Sequence, residues 1–168
     1  MTTLIDAPVE RCFRLSLSID LHLKAAERTG ERVLAGVSSG LIRAGETVTW
    51  SGKHFGLRLQ HTTVIDGWRP YTFFRDTMSQ GRFAHFAHEH HFAPMNDGTR
   101  MRDDLQFAAP FGRLGLLFEG RLRTHLRQFL VARNTLLKHV AESASEDWRQ
   151  YLDHQPPLDL TPFRKPTS

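Results

Sequence analysis

Residues 113–142 read RLGLLFEGRLRTHLRQFLVARNTLLKHVAE, and the spacing within this stretch decides the fold. Leu114, Leu117, Phe118, Leu122, Leu126, Phe129, Leu130, Leu136, Leu137 and Val140 follow steps of three and four, with most of the charges between them. That period predicts one amphipathic helix from about Arg113 to Glu142. At 1.5 Å per residue it is ~45 Å long, enough to cross a whole domain. A helix with a single apolar stripe has to lie against another apolar face, and the residues before it offer a sheet.

From Glu31 to Phe107 the chain runs in β-branched and aromatic stretches broken by Gly, Pro, Asn and Asp. Strands are predicted near Arg32–Ser38, Thr47–Phe55, Leu57–Ile65, Thr72–Ser79, Phe83–Phe92 and Thr99–Phe107. The breaks fall at Gly40 to Gly45, Gly56, Asp66-Gly67 with Pro70, Gly81, and Pro94 to Gly98. Connections this short, without helices, make neighbouring strands antiparallel hairpins. Thr2–Ile5 adds a seventh strand. Asp6-Ala7-Pro8 offers a cap and a proline for a helix start. Val9, Cys12, Phe13 and Ser16, at i, i+3, i+4 and i+7, then predict a helix to about Ser18. Asp20 is expected to cap a second short helix ending at Gly30. The expected class is α+β, with a seven-stranded antiparallel sheet wrapped around the long helix and two short helices after the first strand. Residues 1–143 are expected to form one domain. Residues 144–168, with Pro156-Pro157, Pro162 and Pro166, are expected to form a loosely ordered extension.

Composition narrows the class further. A chain of 168 residues fits one domain with one core. An apolar content of 40% and a charged content of 24% argue against disordered and fibrous classes. Twelve Phe against two Tyr supply aromatic bulk without hydroxyls that need partners, which suits an apolar interior. No stretch approaches the ~20 apolar residues of a membrane span and the first residues lack a signal-peptide pattern, so a cytoplasmic protein is expected. Cys12 is expected to be a small buried apolar residue. The basic residues Arg121, Arg123, Arg127, Arg133 and Lys138 on the long helix are read as a solvated face. Without interleaved aromatics or a known motif they point to no nucleic-acid partner.

This order of elements carries Arg69-Pro70-Tyr71-Thr72-Phe73-Phe74-Arg75-Asp76, Gly81-Arg82-Phe83 and His88-Glu89-His90-His91-Phe92. Gly98-Thr99-Arg100-Met101-Arg102-Asp103 and Pro110-Phe111-Gly112 follow. Together they resemble the helix-grip superfamily, also called SRPBCC or START-like, and within it uncharacterised bacterial members described as ligand-binding or cyclase/dehydrase-like. The resemblance covers about residues 1–143. It implies a cavity for a small, mostly apolar ligand; it implies no particular reaction, because the fold hosts carriers, receptors and enzymes alike. One position departs from the pattern: Met78 stands where relatives often carry Gln two residues after the aspartate of the Phe-x-Asp strand.

Four of the ten histidines fall in the stretch from Phe83 to Phe92. Alternate residues of a strand share a face, so Phe86, His88, His90 and Phe92 form one row and His85, Ala87, Glu89 and His91 the other. The first row, with aromatic ends, is expected on the concave side and the second in solvent. Phe74, Asp76 and Met78 on the preceding strand alternate likewise, as do Thr99, Met101, Asp103, Leu105 and Phe107 on the following one. Pairing of the three strands is expected to gather His88, His90, Asp76 and Asp103 into one polar patch, with Arg133 of the long helix in reach. Val48, Trp50 and His54 share a face of an earlier strand.

Three roles stay open for that patch. The groups pair among themselves as a structural network. They anchor the polar end of a hydrophobic molecule. Or a His–Asp pair serves as general base for a cyclase, dehydratase or hydrolase, or His-x-His with Asp ligates zinc. The expected function is binding of a small hydrophobic ligand such as a lipid, isoprenoid or polyketide-like aromatic. The expected ligand-binding residues are His88, His90, Asp76, Asp103, Phe86, Phe74, Trp50, His54 and Arg133. No cofactor or resident metal is expected, since strand His-x-His defines no third ligand by spacing. An enzyme of the kinds named, or an interaction module acting through the basic helix face, are the alternatives.

Overall fold

A computed structural model describes residues 1–54, 57–109, 116–153, 155, 158 and 161, with the backbone alone for His54 and residues 116–118. Strand β1 (Thr2–Ile5) leads into α1 (Val9–Ser16), α2 (Ile19–Ala25) and a 3₁₀ turn at Glu27–Thr29. Six strands follow: β2 (Arg32–Gly36), β3 (Thr47–His54), β4 (Leu57–Arg69), β5 (Phe73–Gln80), β6 (His85–Met95) and β7 (Gly98–Ala108). The chain closes with α3 (Leu116–Ala141) and α4 (Arg149–Leu152). All seven strands form one antiparallel sheet in the order β1-β7-β6-β5-β4-β3-β2.

Helix α1 plugs one end of the concave face. Phe13 is fully buried, and its ring meets Trp68, Tyr71, Phe74 and Phe92 edge-on with centroids 5.3–5.7 Å apart. Edge-to-face pairs add roughly 0.5–1.5 kcal/mol each beyond burial, so this knot of rings pins α1 to β4, β5 and β6. Cys12, on the same helix, is buried as an apolar residue, and burial pushes its thiol up.

The backbone of α3 packs on α1, α2 and β1. Leu130, Leu137, Val140 and Ala141 in its second half are buried. Leu122, Leu126 and Phe129 nearer its start stay half-buried, because they face a space that no side chain among the described residues fills. The predicted start at Arg113 lies outside the described residues. Among the described residues no helix is long and apolar enough to cross a membrane.

Several local expectations are corrected. Pro8, not Asp6, occupies the cap position of α1 and makes no side-chain cap bond. Ser18, not Asp20, caps α2 by accepting from Leu21 N (3.2 Å). Asp20 instead accepts from Gly40 N at 2.7 Å and ties α2 to the loop before β3. α2 itself stops at Ala25, with the 3₁₀ turn carrying the chain to a left-handed Gly30. Asp66-Gly67 does not break a strand, for β4 passes through it on a bulge between Ile65 and Gly67. There Arg75 clamps Asp66 with two bonds of 2.8 and 3.2 Å, and a Cβ at position 67 would stand 2.9 Å from the Phe73 ring. Only glycine allows that approach. Pro94 also lies inside a strand, one residue from the end of β6, where a missing N–H costs little.

The segment read as a loose extension carries α4 and buries Leu152 and Leu158 in the main core. Trp148 and Tyr151 pack beside them, and Arg14 donates to the Leu152 carbonyl at 3.3 Å. Pro156, Pro157, Pro162 and Pro166, on which the expected loose extension rests, lie outside the described residues.

Candidate functional site

The register of three strands builds the site. Asp76 of β5 stands opposite His88 of β6, Phe74 opposite His90, and His90 opposite Asp103 of β7. Parity turns all of these toward the concave face: His88, His90 and Asp103 are 6%, 2% and 1% exposed. Phe86 shares their row. The opposite row departs from expectation. His85 is exposed, but Ala87 is buried and Glu89 and His91 are half-buried, because salt bridges on the outer face cover them.

Within the patch, His88 Nε2 lies 3.1 Å from Asp103 Oδ1 and His90 Nε2 lies 3.2 Å from Asp76 Oδ1, both as hydrogen bonds. Asp103 Oδ2 accepts from Asn134 Nδ2 at 2.6 Å. His90 Nδ1 comes within 2.9 Å of Asp103 Oδ1 but off the line of a hydrogen bond, so this buried nitrogen has no aligned partner. The rings of His88 and His90 stand 3.8 Å apart, and Phe74 stacks on His90 at 4.1 Å. Arg133 Nη1 reaches to 3.7 Å from Asp103 while donating to Asn134 Oδ1, and Nη2 donates to the Ser16 carbonyl. Arg133 is therefore buried and does not belong to the solvated face, where Arg121, Arg123 and Arg127 are exposed.

Electrostatics follows from these contacts. Burial, aided by the neighbouring His90, pulls the His88 imidazole down to about 4, against the pull of Asp103 and Asp76. Burial pushes Asp103 up, but the two imidazoles and the Arg133 charge outweigh it and hold the carboxyl far below its usual range. Asp76 is also lowered, by His90, His88 and Arg133 against burial. A fifth of the Asp76 side chain stays accessible, and Asp76 lines the space beside α3.

That space, of about 180 Å³, lies between the concave face, α2 and α3. Its wall is mostly apolar, with Leu17, Ile19, Val48, Ile65, Phe74, Met78, Phe86, Leu105, Leu126 and Phe129 among the lining residues. Asp76, His88, His90 and Arg133 make one polar side. Trp50 lines it too, its ring tilted 30° against that of His22 with centroids 4.3 Å apart, while His22 Nε2 sits 2.9 Å from Glu31 Oε2. Asp103 does not line the space and supports the imidazoles from behind. The side chain of His54 lies outside the described residues. The sequence reading missed His22, whose helix pattern gives no hint of Glu31. It also missed Asn134, although a polar pair Arg133-Asn134 inside an apolar stripe was a usable signal.

No protein-family model and no curated protein matches the sequence. Solved structures do match. The chain superposes on protein TTHA0849 from Thermus thermophilus with a TM-score of 0.67 at 17% identity, over 83% of this chain and 92% of that one. It superposes on major latex-like protein 151 from Panax ginseng at 0.63, with 11% identity over 85% and 95%. The chain has the helix-grip fold. A third match is the di-domain ARO/CYC StfQ from the steffimycin biosynthetic pathway, at 0.65 and 13% identity, covering 84% of this chain and 49% of that one. The helix-grip likeness is thus one of architecture, spread over proteins of dissimilar sequence.

Proposed function

We propose that the protein binds a small, mostly hydrophobic molecule in the space between its sheet and α3. The molecule's polar end rests on Asp76, His88, His90 and Arg133, with Asp103 orienting the imidazoles. One observation carries this: a space of about 180 Å³ with a mostly apolar lining holds on one side a cluster of mutually positioned polar groups, of which His88, His90 and Arg133 are buried and Asp76 half-buried. One water needs roughly 10–15 Å³ of such volume, so there is room for a molecule many times larger. Apolar walls with a few convergent polar groups are what a small-molecule site requires. Structural likeness to a ginseng major latex-like protein and a di-domain ARO/CYC protein is compatible with that use of the fold. A lipid, an isoprenoid or a polyketide-like aromatic has the required balance of apolar body and polar end.

Native mass spectrometry of the protein after exposure to mixed lipids and polycyclic aromatics tests this. A retained species is expected, and it is expected to disappear in Leu126→Trp, which fills the space from α3. Retention of nothing by the wild-type chain, or undiminished retention by Leu126→Trp, would overturn it.

A second reading makes the His88–Asp103 pair an acid–base dyad, since Asp103 orients the ring and Nδ1 faces the space. A base held down to about 4 is mostly unprotonated at neutral pH but binds a proton weakly. General-base efficiency peaks when the group's affinity matches the working pH. Binding without turnover therefore accounts better for His88.

A further inference from the structure

Each imidazole of the cluster is set between two carboxylates. On the side away from the space, His88 Nε2 and His90 Nδ1 both face Asp103 Oδ1, at 3.1 and 2.9 Å. On the side of the space, His88 Nδ1 and His90 Nε2 both face Asp76 Oδ1, at 3.9 and 3.2 Å. One donor atom each from Asp76, His88 and His90 lies within 4.8 Å of the others.

We propose that Asp76, His88 and His90 bind a divalent transition-metal ion of the zinc class, with at least one coordination position open to the space beside α3. The donor set is two imidazoles and one carboxylate, the combination that leaves a fourth position for water or a ligand in open zinc sites. Bonds of about 2.0–2.1 Å place donors of a tetrahedral ion roughly 3.4 Å apart. The observed 3.2 and 3.9 Å bracket that value, so small side-chain shifts suffice.

The surroundings fit as well as the donors. Ligating histidines commonly give their far N–H to a carboxylate, which sets the tautomer and aims the ring. Asp103 stands at the far nitrogen of both, and the Asn134 amide holds it in place. The proton positions then become consistent. With Nε2–H of His88 on Asp103, a neutral ring presents the Nδ1 lone pair toward Asp76 and the space. An ion on His90 Nε2 leaves that ring's proton on Nδ1, the buried nitrogen that otherwise lacks an aligned partner.

A second trio, Glu89, His91 and Asp104, lies on the outer face of β6 and β7. There Arg75 and Arg102 already take up the carboxylates, at 3.9 and 2.9 Å. It serves as an internal control.

The test uses the untagged full-length chain, stripped with chelator and titrated separately with Zn²⁺ and Co²⁺. One equivalent of each is expected to bind, and Co²⁺ is expected to develop visible absorption of four- or five-coordinate strength. Asp76→Asn and His90→Ala should abolish both signals, while His91→Ala leaves them unchanged. Asp103→Asn should weaken affinity about 10- to 100-fold with the bands shifted, as loss of a positioning carboxylate does. Circular dichroism checks folding; should His90→Ala not fold, Asp76→Asn, whose side chain reaches the space, carries the result. Three outcomes overturn the proposal: no stoichiometric binding by the wild-type chain, an unchanged Co²⁺ spectrum in Asp76→Asn, or loss of binding in His91→Ala. The titration needs no apolar ligand, so it stands apart from the hydrophobic-binding proposal.

Discussion

Strand β6 puts two histidine–carboxylate clusters back to back, one residue out of phase. His88 and His90 meet Asp76 and Asp103 on the concave side, while His91 meets Glu89 and Asp104 on the convex side. The residue types and distances are nearly the same. What differs is the medium: Asp103 is 1% exposed, whereas Glu89, His91 and Asp104 keep between about a quarter and two fifths of their side-chain surface in solvent. Exposed ion pairs contribute about 0–1 kcal/mol, because water solvates each partner alone nearly as well. In a buried cluster each group depends on its neighbours, and removing one leaves the others desolvated.

The largest expected effect is therefore on the inner side. Asp103→Asn should lower the free energy of unfolding by about 3–5 kcal/mol, measured by urea titration with chelator present. Equal stability of Asp103→Asn and Asp104→Asn would break the comparison. Next comes pH. His88 is held down to about 4 in the folded chain, below the 6.5 of an ordinary imidazole. Between those values the unfolded chain binds more protons, so stability should fall as pH drops through this window, with no further loss from this group below it. The loss is at most about 3 kcal/mol, with Asp76 and Asp103 still ionised throughout. In His88→Gln this slope should vanish; persistence of the full slope would assign it elsewhere. The smallest effect belongs outside. Glu89→Gln and His91→Gln should each change stability by less than about 0.5 kcal/mol and leave any retained molecule in place.

Much of this contrast was legible in the sequence. Alternation along Phe86, His88, His90 and Phe92 identified the inner row, because a strand allows only two faces. The three-and-four spacing of Leu122, Leu126, Phe129 and Leu130 identified the helix that covers it. Arg133 was legible as a polar break in an apolar stripe. Other features were hidden. Asn134 closes the network only because α3 lies at one rotation and depth over β7 and β1. His22 meets Trp50 and Glu31 only because α2 folds back over β3. The bulge at Asp66-Gly67 looked like a chain break, since glycine marks turns and close approaches alike.

The sequence by itself determined the periods: alternation in the strands, 3.6 residues per turn in the long helix, and with them the helix-grip order of elements and the inward face of β6. Those are local properties, set by backbone geometry and by which residues avoid water. Only the tertiary structure decided that Asp103 stands behind the imidazoles while Asp76 faces the space. It also decided that Leu122, Leu126 and Phe129 stop short of the sheet, and that Leu152 and Leu158 return to the core. These depend on strand register and on the distance at which α3 is held by α1, α2 and β1, quantities that arise from contacts across the chain and leave no trace in any one segment.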